Sequence, residues 1–213
     1  MQALARDGEP SVVFVMTDGR PTAGVKDGRT IINALTDENR GRHTVYAYGG
    51  GRTVNRYLLD LLAYRNKGES YVTPEIDQID AELPSFFARI SEPILVDLEA
   101  DYGRIDENDV FPKKVPDFYR GRVVTVYGRY QPEKDKEFSV RLTGRAGDKK
   151  KELVFRTNLS KAGAGDASIA QRWAFERIYW LIGEICRVGE TPDLLQELRD
   201  LSAKYNISTS YSE

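Results

Sequence analysis

Between residue 11 and about residue 91 the chain passes three times from a short apolar run to a segment with 3.6-residue spacing. That alternation restricts it to βα units on a mainly parallel sheet. The apolar runs are 12–16, 43–48 and 71–73. After the first, Ile31, Ile32 and Leu35 form one face of a helix opened by Asp27 and Gly28 and left through Arg40, Gly41 and Arg42. After the second, Leu58, Leu59, Leu62 and Ala63 repeat at helical spacing, with Gly68 placed to cap that helix in a left-handed conformation. After the third, Thr73 and Pro74 read as an N-cap and first-turn proline, and Ile76, Ile79, Leu83, Phe86, Phe87 and Ile90 form the stripe. Pro84 interrupts that stripe and predicts a kink or two short helices.

Around Pro93 the period changes to two: Ile94, Val96, Leu98, Ala100 and Tyr102 alternate with polar neighbours, as in a half-buried strand. Residues 123–130 read as a further strand, and 138–142 with 153–157 as a hairpin joined through Gly147 and Asp148. The lysine run 149–151 reads as a solvated turn. From Asp166 the spacing is helical again, with Ile169, Trp173, Ile178, Leu181, Ile182 and Ile185 on one face and Gly189 at the end. Thr191 and Pro192 open a last helix carrying Leu194, Leu195, Leu198, Leu201 and Tyr205, and the polar tail 207–213 is expected to fray. The fold class is therefore α/β: a partial doubly wound, mainly parallel sheet in residues 1–92, then an α+β extension in 93–213. The extension is β-rich over 93–160, with an antiparallel sheet, and helical over 165–206, with two C-terminal helices.

Composition narrows the partners. Lys plus Arg (31) nearly balances Asp plus Glu (33), so no global field draws the chain to nucleic acid or an anionic membrane. No apolar run approaches the roughly 20 residues of a spanning helix, and residues 1–10 carry no signal-peptide hydrophobic core. Cys186 is the single cysteine, which excludes an internal disulfide and a cysteine metal cluster; its apolar helical setting makes it a buried, inert thiol.

The candidate sites have bland counterparts. The run 12–16 delivers Asp18 to a sheet edge, where open α/β sheets place ligand sites. A single carboxylate supplies few of the six or more oxygens that Mg²⁺ or Ca²⁺ takes, and an Asp-Gly turn explains it as well. Gly49, Gly50 and Gly51 could cradle a phosphate, but the sixth position of a dinucleotide fingerprint is Val54, so a tight turn is preferred. His43 is the only histidine and sits at the opposite end of its strand from the edge that bears Asp18. No H-E-x-x-H, G-x-S-x-G or P-loop is present. Asp97, Glu99 and Asp101 mark the solvent face of a strand, and Trp173, Tyr179 and Trp180 read as core rather than a ligand cage.

Taken together, the segments 12–19, 44–51 and 54–63 resemble the second half of a von Willebrand factor type A domain. Residues 87–102, 109–112, 115–121 and 201–206 resemble the region C-terminal to that domain in inter-alpha-trypsin inhibitor heavy chains and their bacterial relatives. The resemblance implies a non-enzymatic adhesion or interaction module with protein partners, and favours an extracellular or cell-envelope setting. It also implies a metal-ion-dependent adhesion site in which an Asp-x-Ser-x-Ser loop, a Thr and an Asp hold Mg²⁺ or Ca²⁺, with one position left for a partner's carboxylate. Asp18 matches the third loop only. No D-x-S-x-S occurs in the sequence, so the cation belongs to a full-length parent and no tight binding is expected of this chain. In the family's strand order the run 12–16 would be left as an open apolar edge, which predicts self-association through it or cover from residues 1–10. The alternative is a structural or assembly role without metal; finding the Asp-x-Ser-x-Ser loop upstream would separate the two.

Overall fold

The computed structural model describes residues 11–131, 137–163 and 165–211. The chain divides into two compact units whose segments interleave along the sequence. One comprises Met1–Asp97, Pro116–Val123 and Arg145–Lys150; the other comprises Leu98–Val115, Val124–Gly144 and Lys151–Glu213.

The first unit is built on a parallel sheet of order β1-β2-β3, with β1 at Val12–Met16, β2 at Thr44–Gly50 and β3 at Ser70–Thr73. Being central, β2 is buried on both faces, which is why it reads as a near-continuous apolar run. Its alternation sorts the helices into two layers. Ala47 packs with Leu59 and Ala63 of α2 (Arg56–Tyr64). Tyr46 and Tyr48, on the other face, pack with Phe86 of α3 (Ile79–Ala88). Removing a side chain such as Leu59 from water contributes about 1.5–3 kcal/mol. The helix α1 (Gly28–Asn39) is N-capped by Asp27, whose carboxylate accepts the Thr30 N–H at 2.7 Å, and ends at Arg40 in the left-handed conformation. A doubly wound, mainly parallel sheet is what the alternation predicted.

Several local expectations are corrected. Gly68 is not the left-handed cap; Lys67 holds the positive φ of 67°. Gly68 is required for another reason, since a Cβ there would collide with the Val45 carbonyl oxygen of β2. Gly49 and Gly50 continue β2 instead of forming the turn, and a Cβ on Gly49 would come within 2.8 Å of Val54. Thr73 closes β3 and caps nothing: a 3-10 turn at Ile76–Gln78 precedes α3, and Pro84 is accommodated inside that helix. The break into two short helices is there, but before Ile79.

Strand β4 (Pro93–Asp101) changes phase partway along. Leu95 and Val96 are both buried and Ile94 is exposed, and the expected alternation holds from Val96 onward, across Asp97, whose φ is +52°. A register shift between Pro93 and Leu95, opposite β6 (Phe118–Tyr119), accompanies the slip. β4 and β6 belong to a four-stranded sheet of order β6-β4-β8-β9, in which β8 (Glu137–Ala146) and β9 (Lys149–Asn158) form the expected hairpin through Gly147 and Asp148. The lysine run 149–151 is solvated as expected, but it opens β9 rather than forming a turn. Of the expected strand at 123–130 only β7 (Tyr127–Gly128) pairs, with β5 (Val110–Phe111), and Val123 is 88% exposed. A β-branched run becomes a strand only where a neighbour offers backbone partners.

In the second unit α4 (Ala167–Val188) and α5 (Pro192–Tyr205) carry the core. Ile178, Leu181 and Ile185 pack against Leu198. Trp173 packs on Phe111 and donates its indole N–H to the Asp109 carbonyl at 2.8 Å. Ile169 is half exposed instead of lying on the buried face. The tail does not fray over 207–211: the Ile207 N–H bonds the Ser202 carbonyl, and Ile207 and Tyr211 pack on the helical core. No helix of the described residues is long and apolar enough to cross a membrane.

Candidate functional site

Asp18 stands just past the carboxyl end of β1, and the chain around it is fixed by backbone bonds. The Thr17 N–H extends the ladder to the Tyr48 carbonyl at 3.0 Å, and the Asp18 carbonyl accepts the Asn55 N–H at 2.8 Å. Asn55 in turn caps α2, its side chain accepting the Leu58 N–H at 3.2 Å. The loop after β1 and the loop after β2 are thereby joined. Gly19, at φ +71°, lies so close to Asn55 that a Cβ would come within 2.9 Å of its side chain. The Asp-Gly pair thus needs glycine for both conformation and space.

The Asp18 carboxylate is exposed and closes a local turn, with Oδ1 accepting the Arg20 N–H at 2.9 Å. The Thr17 hydroxyl accepts the Gly19 N–H at 3.1 Å in a similar turn. Among the described residues no group of three or more His, Cys, Asp or Glu side chains is arranged to hold a metal ion. A hard cation needs six or more oxygens, so these residues do not fit a complete Mg²⁺ or Ca²⁺ site. Glu75, on the neighbouring loop after β3, is engaged by Arg52, whose Nε lies 2.9 Å from its carboxylate.

The other candidates separate from Asp18. His43 is buried just before β2, its Nδ1 2.7 Å from the Ser11 hydroxyl and its N–H bonded to Asn39 Oδ1 at 2.9 Å. Asp97, Glu99 and Asp101 are all exposed on β4. Burial alone would raise the Asp97 carboxyl, but the Arg145 guanidinium at 2.6 Å and the Lys67 ammonium at 3.3 Å outweigh it and hold the group below its ordinary value. A general acid needs the opposite shift. Trp173 is core, Trp180 is half-buried against Phe111, and Tyr179 stacks on Phe175 at 6.1 Å. Cys186 is buried.

A buried polar cluster went unread in the sequence. Asn39 donates to the His43 carbonyl at 2.8 Å and to Asn66 Oδ1 at 2.7 Å, and Asn66 donates to the Leu62 carbonyl at 2.8 Å. Asp117 accepts from the Thr44 hydroxyl at 2.8 Å and from the Asp97 N–H at 2.9 Å. These groups tie helix ends and the segment 116–123 to the parallel sheet; they are structural.

No protein-family model matches the chain. Among curated proteins it is similar to inter-alpha-trypsin inhibitor heavy chain H1 of Sus scrofa, 29% identical over 153 residues, 71% of this chain and 17% of that protein. It is also similar to heavy chain H1 of Bos taurus, 29% identical over 128 residues, 60% of this chain and 14% of that protein. Heavy chain H3 of Rattus norvegicus is 24% identical over 217 residues, 97% of this chain and 24% of that protein. The chain thus spans a quarter or less of the curated relatives it matches. Among solved structures, von Willebrand factor type A from Catenulispora acidiphila superposes with a TM-score of 0.49 at 12% identity, covering 93% of this chain and 56% of that one. The resemblance read from the sequence is to the proteins that the curated comparison returns.

Proposed function

We propose, for a chain whose sequence relatives are inter-alpha-trypsin inhibitor heavy chains, that it is a non-enzymatic protein-interaction module with the character of a von Willebrand factor type A domain. The observation that carries this reading is the parallel sheet whose outer strand β1 ends at the Asp18 loop: Val12 and Met16 on that strand are 40% and 51% exposed, on an edge with no neighbour among the described residues. An apolar edge with unpaired N–H and C=O groups is a template for a further strand. That strand comes from a longer polypeptide, a partner protein or a second copy. Residues 1–10, expected from the sequence as possible cover, lie outside the described residues.

Asp18 is proposed as one contributor to a divalent-cation site whose remaining oxygens lie outside this chain's described residues, with a partner carboxylate among them. An extracellular or cell-envelope setting is part of this proposal, supported by the same resemblance. A metal-free assembly role is the second reading, favoured by the Asp18 carboxylate already serving a local turn. The edge is tested by hydrogen exchange and light scattering on the 213-residue chain. Slow exchange at the β1 amides in a self-associated species, and their release on dilution, is the expected result. A monomer with rapid exchange from Val12 to Val15 at all concentrations would contradict it.

A further inference from the structure

Strand β9 closes the order β6-β4-β8-β9, and all ten of its residues are exposed. Leu153, Val154 and Phe155, at 40%, 45% and 57% exposure, make its centre apolar. Its outer edge has no neighbour among the described residues, and a long strand with such an edge and an apolar centre is a pairing surface. Its charges say with what. We propose that β9 pairs antiparallel with β9 of a second copy of this chain, about a two-fold axis at Val154.

The two-residue turn at Gly147 and Asp148 makes Ala146 and Lys149 the first hydrogen-bonded pair of the hairpin. Odd-numbered residues of β9 then direct their N–H and C=O groups to β8, and even-numbered ones direct them to the open edge. In an antiparallel ladder, edge-directed residues must face edge-directed residues, so only registers that place even opposite even are allowed. With Val154 opposite itself, Glu152 faces the partner's Arg156 and Arg156 faces the partner's Glu152. On the other face Leu153 lies opposite the partner's Phe155, and Phe155 opposite the partner's Leu153. A shift of one residue toward Lys149 sets Lys150 against the partner's Arg156, and a shift the other way sets Val154 against it. Parallel in-register pairing would oppose three lysines to themselves. Like charges directly opposite destabilise a ladder and opposite charges support it, so one register is selected. The contact is isologous and closes as a dimer. Glu152 already lies 3.8 Å from Arg141 of β8, which aims its carboxylate within the same face of the sheet.

The test is sedimentation of the full chain with reciprocal charge swaps. Glu152→Arg and Arg156→Glu are each expected to lower the average mass toward that of the monomer, through an increase of about tenfold in the dissociation constant. The double variant E152R/R156E restores the opposite-charge pairs and is expected to recover the original mass. Both sites are exposed, and circular dichroism of the three variants checks that they fold alike. A chain that is monomeric at every concentration overturns the proposal. So does association that ignores the single swaps, which places the contact at β1 or elsewhere, and so does a double variant that stays dispersed.

Discussion

At the scale of single residues, the glycines show why a residue type can be legible while its reason is not. Gly68 follows a helical stripe, and the ordinary inference from that position is a left-handed cap. Its actual constraint is the Val45 carbonyl of a strand 23 residues earlier, which no local pattern encodes. Gly68→Ala forces backbone against backbone and is expected to cost about 3 kcal/mol, read as a lower urea midpoint at unchanged slope. Gly24, at φ +68° with nothing within 4 Å of where a Cβ would stand, is the contrast: Gly24→Ala costs only about 1 kcal/mol, from backbone conformation alone. Equal losses at the two positions would contradict the steric reading of Gly68. Asn39 and Asn66 were invisible for the same reason, since their side-chain bond spans 27 residues.

At the scale of elements, strong periodicity, the parallel sheet and the β8–β9 hairpin were read correctly, and the pairing of the run 123–130 was not. The strands β1, β2 and β3 and the helices α1, α2, α4 and α5 follow from apolar spacing and caps within the segment itself. Residues 123–130 have strand composition but only Tyr127 and Gly128 find a ladder, and the β4 phase slip at Leu95 and Val96 goes with a register shift against β6. Asp97 also makes a pH dependence. Its folded carboxyl is held below the value of about 3.9 expected in an unfolded chain, so its contribution is fully present above that pH and is lost as pH falls through the folded value. Asp97→Asn keeps a side chain that tolerates positive φ and removes the charge. Urea unfolding from about pH 6 to about pH 2 is expected to show a shallower acid decline in this variant than in the wild type. Parallel declines would mean that the Arg145 and Lys67 contacts stabilise nothing in solution; half-exposed pairs of this kind are partly screened, so the difference is expected to be small.

At the scale of the whole molecule, the sequence located Asp18 and the edge strand that bears it, because a strand followed by an Asp-Gly loop is a local signal. The surroundings of Asp18 were not legible: the bonds from Asp18 and Thr17 to the loop and strand of β2 are backbone contacts, independent of side-chain type. Those bonds tie the loop to β2 and to the loop after it, and the carboxylate faces a local N–H, with no group of three or more metal-ligating side chains among the described residues. In the proposed role this chain interacts through its surfaces and strand edges, with Asp18 supplying only part of any cation site. Calorimetric titration of Mg²⁺ into the 213-residue chain tests it most directly. The expected result is no binding tighter than about millimolar, unchanged by Asp18→Ala, because too few hard oxygens converge at Asp18. Micromolar binding abolished by Asp18→Ala would contradict the claim and make this loop a metal site in its own right.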